Sequence, residues 1–221
     1  MHAGPWTTDN NHLLMSDENV EVRAISVSSM DNNVYLVTCV TTGAQALIDA
    51  ADEASQIIEL VRGAGMGDLA SLITTHRHWD HVRALSDVAE DTSAVTAAGI
   101  RDASHLPVKP DRRLDHGDAV EFGDVTLNVI GLRGHTPGSI ALALDAGDTE
   151  RPTLLFTGDS LFPGGPGKTE TDSDFTSLMD DLTERVFEVY DDSTVVLPGH
   201  GDGTTLGPER GQLQQWRQRG W

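Results

Sequence analysis

The segment Thr75-His76-Arg77-His78-Trp79-Asp80-His81 gathers three imidazoles and a carboxylate within six positions. His76 and His78 stand two apart at the end of a predicted strand, so their side chains leave on the same side. Asp80 and His81 follow at the mouth of a predicted helix. One buried metal ion cannot readily use all four ligands, whereas two ions sharing a water can. Three further candidates share a second pattern, in which an apolar run ends, a small residue follows, and then a ligand-type residue. They are His135 in Gly-His-Thr-Pro-Gly-Ser, Asp159 in Thr-Gly-Asp-Ser-Leu-Phe and His200 in Leu-Pro-Gly-His-Gly. Gly134, Gly158 and Gly199 allow the backbone to turn and approach closely. Neutral imidazole and carboxylate suit Zn²⁺, Fe or Mn. His2, His12, His105 and His116 lack such company and read as ordinary core or surface groups.

These ligands need strands that end together. Val20 to Val27 alternates apolar and polar, Asn33 to Val40 is β-branched and aromatic, and Ala44 to Ile48 is a short run closed by Asp49. A helix is expected after Asp52 as its cap, with Ile57, Ile58 and Val61 on one face and Gly63 and Gly65 as its stop. Leu69 to Thr75 reads as a strand that stops at His76, Asp80 to Ala89 as a helix, and Ser93 to Ala97 as a strand. Gly123-Asp124 joins Val120 to Phe122 and Val125 to Ile130 as a hairpin. Ile140 to Leu144, Thr153 to Phe156 and Thr194 to Leu197 read as further strands, Asp174 to Tyr190 as a helix, and Gly207 to Arg219 as a terminal helix. A meander followed by β-helix alternation, given twice, predicts an α/β sandwich of two sheets with helices outside. Residues 1–19 read as a flexible N-terminal arm and 20–221 as a single domain.

Composition narrows the function. The 221 residues include 35 acidic and 15 basic side chains, a net charge of −20. That charge repels nucleic acid and anionic lipid, so neither is an expected partner. The mean hydropathy of −0.27, with no long apolar run, predicts no membrane-spanning helix. Residues 1–19 show no secretory signal pattern, and a cytoplasmic protein is expected. The single cysteine, Cys39, excludes an intramolecular disulfide and reads as a small core residue.

The set His76-Arg77-His78-Trp79-Asp80-His81, Gly134-His135, Gly158-Asp159 and Gly199-His200, in that order, resembles the metallo-β-lactamase superfamily. The resemblance implies an αβ/βα four-layer sandwich of two mixed β-sheets with a binuclear site at their edge. It implies that His76, His78 and His135 bind one metal, that Asp80, His81 and His200 bind the other, and that Asp159 bridges both. Two divalent cations are implied, zinc first, with iron or manganese as alternatives. A water activated between them would attack an acyl carbonyl, with Asp80 as the catalytic residue that orients it.

Thr-His-Arg-His-Trp-Asp-His and Gly-Asp-Ser-Leu-Phe-Pro-Gly-Gly-Pro-Gly-Lys resemble short relatives of glyoxalase II, the hydroxyacylglutathione hydrolases. The resemblance places Lys168 where a cation holds the carboxylate of the thiol, and so implies a small anionic thioester as substrate. Two features depart from full-length glyoxalase II. Only 21 residues follow His200, and Ser139 stands where a second histidine is usual, which points away from glutathione and toward another low-molecular-weight thiol or an unrelated ester. A second reading is a persulfide dioxygenase with one iron on His76, His135 and Asp159. A β-lactamase, a lactonase and a non-catalytic relative rank behind both. Gly164-Gly165-Pro166-Gly167 is expected to form a mobile rim and Trp79 a packed wall. Trp216 and Trp221 are expected to pack back on the domain or against a second copy, in a monomer or homodimer.

Overall fold

The computed structural model describes residues 12–64 and 67–220. Strands β1 (His12–Ser16), β2 (Val20–Val27), β3 (Asn32–Cys39), β4 (Gln45–Ile48), β5 (Leu69–Thr74), β6 (Val95–Gly99) and β7 (Arg112–Leu114) form one sheet in sequence order. The pairs from β1 to β4 are antiparallel, and β4 to β7 run parallel. Strands β8 (Ala119–Phe122), β9 (Val125–Gly131), β10 (Ile140–Leu144) and β11 (Leu154–Gly158) begin the second sheet. A small hairpin, β12 (Leu161–Phe162) and β13 (Gly165–Pro166), precedes β14 (Val195–Pro198) and β15 (Thr204–Thr205). The second sheet is ordered β15-β14-β11-β10-β9-β8, with β11 and β14 parallel.

Alternation along the strands builds the layers. All eight residues of β3 are buried, but they face two ways. Tyr35, Val37 and Cys39 enter the core between the sheets with Phe156, Leu142 and Leu197. Val34 and Leu36 face the opposite side, against Ile57 and Leu60 of α1 (Ala54–Gly63) and Leu85 and Val88 of α2 (Leu85–Thr92). On the second sheet, Ala141 and Ala143 face outward, and their small size lets α3 (Asp172–Leu182) seat Leu178, Met179 and Leu182 closely. The helices α4 (Leu206–Arg210) and α5 (Leu213–Arg219) complete that outer layer, with Trp216 buried beside Phe187. The fold is the expected helix-sheet-sheet-helix sandwich. No helix among the described residues is long and apolar enough to cross a membrane.

Several local expectations are corrected. The part of the 1–19 arm from His12 to Ser16 is an edge strand paired with β2, while residues 1–11, Gly65 and Trp221 lie outside the described residues. Glu53, in the left-handed region, precedes α1, and the Asp52 carboxylate accepts the Glu53 amide and Arg83 Nη1 rather than an amide of the helix's first turn. The helix expected over Asp80 to Ala89 is two pieces, a 3₁₀ turn at Trp79–His81 and then α2. Between them the Arg83 and Ala84 amides donate to the Ala51 and Ala50 carbonyls, so the intrahelical ladder is broken by the neighbouring loop. After α3 the backbone widens into a π turn over Thr183–Phe187. The terminal helix is broken between Arg210 and Leu213. The Gly164–Gly167 rim contains the hairpin turn, and Gly164 donates its amide to Glu209.

Candidate metal centre

The site lies where parallel strands end. Asp49 follows β4, His76 follows β5, Asp159 follows β11 and His200 follows β14, while His135 sits in the loop from β9 to β10. Backbone hydrogen bonds stitch the two sheets together at this edge. Ile140 donates its amide to Thr75, and Asn33 donates its amide to Gly199. Tyr35 Oη and Asn33 Nδ2 both donate to the Pro198 carbonyl, at 2.7 and 3.0 Å. Gly158 is left-handed (φ 47°), and a Cβ there would lie 2.6 Å from Thr75 Oγ1. A glycine is thus required where β11 bends toward the first ligand loop.

All seven sequence candidates meet in one cluster. His76, His78 and His135 bring one ligand atom each to within 4.8 Å of one another, and Asp80, His81 and His200 do the same. Asp159 stands between the two groups. Its Oδ2 is 3.6 Å from His135 Nε2 and 3.4 Å from His200 Nε2, and its Oδ1 is 3.4 Å from His81 Nε2. Asp80 Oδ2 lies 3.2 Å from His200 Nε2 and 3.5 Å from His81 Nε2.

Outer partners aim the rings. His135 Nδ1 donates to the Lys168 carbonyl at 2.6 Å, His200 Nδ1 to the Met30 carbonyl at 2.8 Å, and His81 Nδ1 to Asp49 at 3.0 Å. These oxygens can only accept, so each Nδ1 carries a proton and each Nε2 turns inward. His76 Nδ1 faces Thr75 Oγ1, whose own proton goes to Asp49. Asp49 also accepts the Thr75 amide. Asp49 joins a third cluster with His76 and His81, but its oxygens are spent on these supports, so it positions ligands and is not one.

Asp49, Asn32 and Asp102 are the residues that sequence reasoning missed. Asn32 Nδ2 donates to Asp80 Oδ2 at 3.1 Å. The buried Asp102 carboxylate accepts from the Arg77 amide, the Gly138 amide and the Thr136 hydroxyl, tying the His76–His78 loop to the His135 loop. Only the placement of Asp49 directly after an apolar run signalled it. Trp79 departs from expectation, since it is 62% exposed with the Arg83 guanidinium 3.9 Å above its ring.

The donor set fits divalent cations. His76 Nε2, His135 Nε2 and Asp159 Oδ1 are buried with no hydrogen-bond partner among the described residues, a costly arrangement unless something is coordinated. His81 Nε2 and His200 Nε2 face each other at 3.1 Å, a pair that needs a proton between them when no cation is bound. Burial pushes His76 well below the ordinary imidazole range, with His81 adding to the effect, and burial also lowers His135. These two rings are neutral at pH 7, as metal ligands must be. Burial works against the charged form of His81, but Asp159 and Asp49 overcome it and push it up to about 10. Burial also opposes charge on Asp159, yet the His200 and His81 rings that face it hold it far below the carboxylate range. Without a cation, His81 therefore carries a proton at pH 7 that a cation on Nε2 must displace. Metal loading at pH 7 is expected to release roughly one to two protons per chain, read by calorimetry in buffers of different ionisation enthalpy. Loading with no proton release contradicts this assignment.

A metallo-beta-lactamase superfamily model matches residues 30–200, and the chain belongs to that superfamily. Among relatives, a hydroxyacylglutathione hydrolase from Jannaschia sp. is 35% identical over 138 residues, which cover 62% of this chain and 51% of that protein. The chain therefore spans about half the length of that relative. Among solved structures, ETHE1 from Myxococcus xanthus superposes with a TM-score of 0.72 at 29% identity, covering 86% of this chain and 81% of that one. TTHA1623, solved in a di-iron-bound form, gives a TM-score of 0.66 at 28% identity, covering 85% and 96%. The fold and the histidine and aspartate clusters thus define a metal-binding member of a hydrolase superfamily, suited to divalent metals.

Proposed function

We propose that the protein is a metal-dependent hydrolase that cleaves a thioester or related acyl bond, with an anionic thiol as the leaving group. The observation that carries this reading is the second cluster. Asp80, His81 and His200 converge beside His76, His78 and His135, and a single-metal site has no use for both. His76, His78 and His135 would hold one cation, Asp80, His81 and His200 the other, with Asp159 between them. When bound, two divalent metals supply Lewis acidity and an activated water near neutral pH. The chain does the rest. Asp80, held by Asn32, faces the space between His81 and His200, where it can accept a proton from the attacking water and fix its direction. A thiolate leaves easily, so little general-acid help is needed from the protein.

Lys168 supports the choice of an anionic substrate. It is one of two lysines in a chain of charge −20, its side chain is exposed, and its backbone carbonyl is fixed on His135. Lys168→Ala is expected to raise KM roughly 10-fold for anionic thioesters, the loss of one charge-assisted contact, while kcat and neutral thioesters change little. Equal effects on both substrates remove Lys168 from binding.

The second reading, a one-iron dioxygenase acting on a persulfide, is favoured by the fact that His76 Nε2, His135 Nε2 and Asp159 Oδ1 are the unpartnered buried atoms of the cluster. Two imidazoles and one carboxylate form the facial set of non-haem iron oxygenases. Metal analysis with a substrate panel separates the two readings. About two zinc ions per chain with thioester cleavage supports the hydrolase, and one iron with oxygen consumption on a persulfide replaces it.

A further inference from the structure

In a chain of net charge −20, most guanidiniums end on a carboxylate, such as Arg62 on Asp91, Arg210 on Asp192 and Arg217 on Asp180. Arg101 does not. It is exposed and has no hydrogen-bond or ion-pair partner among the described residues. It lines a cavity of about 150 Å³ together with His116, Arg133, Ser139 and Arg185. Three of the thirteen arginines of an acidic protein thus converge on one small hollow, outside the metal centre.

Two of the three are built in. Asp181, only 1% exposed, accepts from Arg133 Nε at 2.8 Å and from Arg133 Nη2 at 2.6 Å, and its Oδ1 lies 3.2 Å from Arg185 Nη2. Arg185 Nη1 donates to the Gly131 carbonyl. One buried carboxylate therefore holds two guanidiniums rigid while offsetting only one of their charges. Asp115 also lines the cavity, with one of its oxygens accepting the His116 amide. Asp180 and Glu184 lie near Arg133, and Asp180 is already bound to Arg217. Three guanidiniums line the cavity, against Asp115 on its wall and the Asp181 that binds two of them, and Arg101 is the charge left over.

The hollow is smaller than a drug-sized ligand site but large enough for a tetrahedral oxyanion. Guanidinium forks match such anions in two-point geometry. We propose that this cavity is a site for a phosphate-class dianion, either free phosphate or the phosphate monoester of a larger ligand. Pro137, Gly138 and Ser139 form its wall, so the anion would rest against the back of the loop that carries His135. Asp102, adjacent to Arg101, grips that same loop through Gly138 and Thr136.

The test is calorimetric titration of the full-length, metal-loaded protein with inorganic phosphate and, separately, with adenosine monophosphate. Arg101→Gln removes a side chain that holds nothing else, so fold and metal content should match the wild type. Saturable phosphate binding that weakens at least tenfold in Arg101→Gln, and recovers largely in Arg101→Lys, is the expected result. Parallel loss of adenosine monophosphate binding assigns the site to phosphate esters, and binding of inorganic phosphate alone assigns it to the free ion. Absence of saturable binding, or binding unchanged by Arg101→Gln as at the metals themselves, overturns the proposal. The readout is independent of hydrolase activity, so the proposal can fail without touching that reading.

Discussion

Asp159→Ala is expected to strip metal from both clusters and to lower kcat/KM by roughly 10³-fold or more. Asp159 directs its oxygens at ring Nε2 atoms of both groups, His135 on one side and His81 and His200 on the other. Its loss should also lower the stability of the metal-free fold at pH 7, because His200 and His81 stabilise its charge by more than burial penalises it. Metal quantification and a denaturation curve of the metal-free variant check the two halves of this statement. A variant that retains a full complement of metal would show that Asp159 does not join the clusters.

Gly199→Ala should do nearly as much damage without removing any ligand. A Cβ on Gly199 would stand 2.3 Å from Asp159 Oδ1 and 2.7 Å from His81 Cε1. The backbone cannot retreat, since the Gly199 amide donates to Gly158 and its carbonyl accepts from Asn33. Metal affinity is expected to fall roughly 100-fold, as when supports of a metal site are displaced, with secondary structure unchanged. Gly201→Ala is the control. Its Cβ would meet open space, but its φ is 63°, so it should cost modest stability and leave metal affinity alone. Equal metal affinity in both variants would refute the steric argument.

The ligands were legible because their signal is local. An imidazole or carboxylate placed after an apolar run and a glycine declares itself in a few residues, and all seven candidates converge. The sandwich was legible from β-branched runs such as that of β3. The supports were not. Asp102 acts on Arg77, Thr136 and Gly138 from other parts of the chain, and no spacing rule connects them. The helix expected to continue through Val82 to Ala89 obeys the apolar period, but the carbonyls of Ala50 and Ala51 take the amides that would have continued it. Edge strand β1 was hidden because its pairing with β2 is tertiary information, and the break in the terminal helix at Gly211-Gln212 was masked by good flanking helix formers.

The hydrogen bonds that cross from one sheet to the other at the ligand edge make the centre a clasp between two halves of the molecule. Cations held there would draw on the same free energy that docks the halves. A cavity opened in the layer around Phe156 should then register as weaker ion retention. Depletion of the ions should in turn speed amide exchange first along that seam.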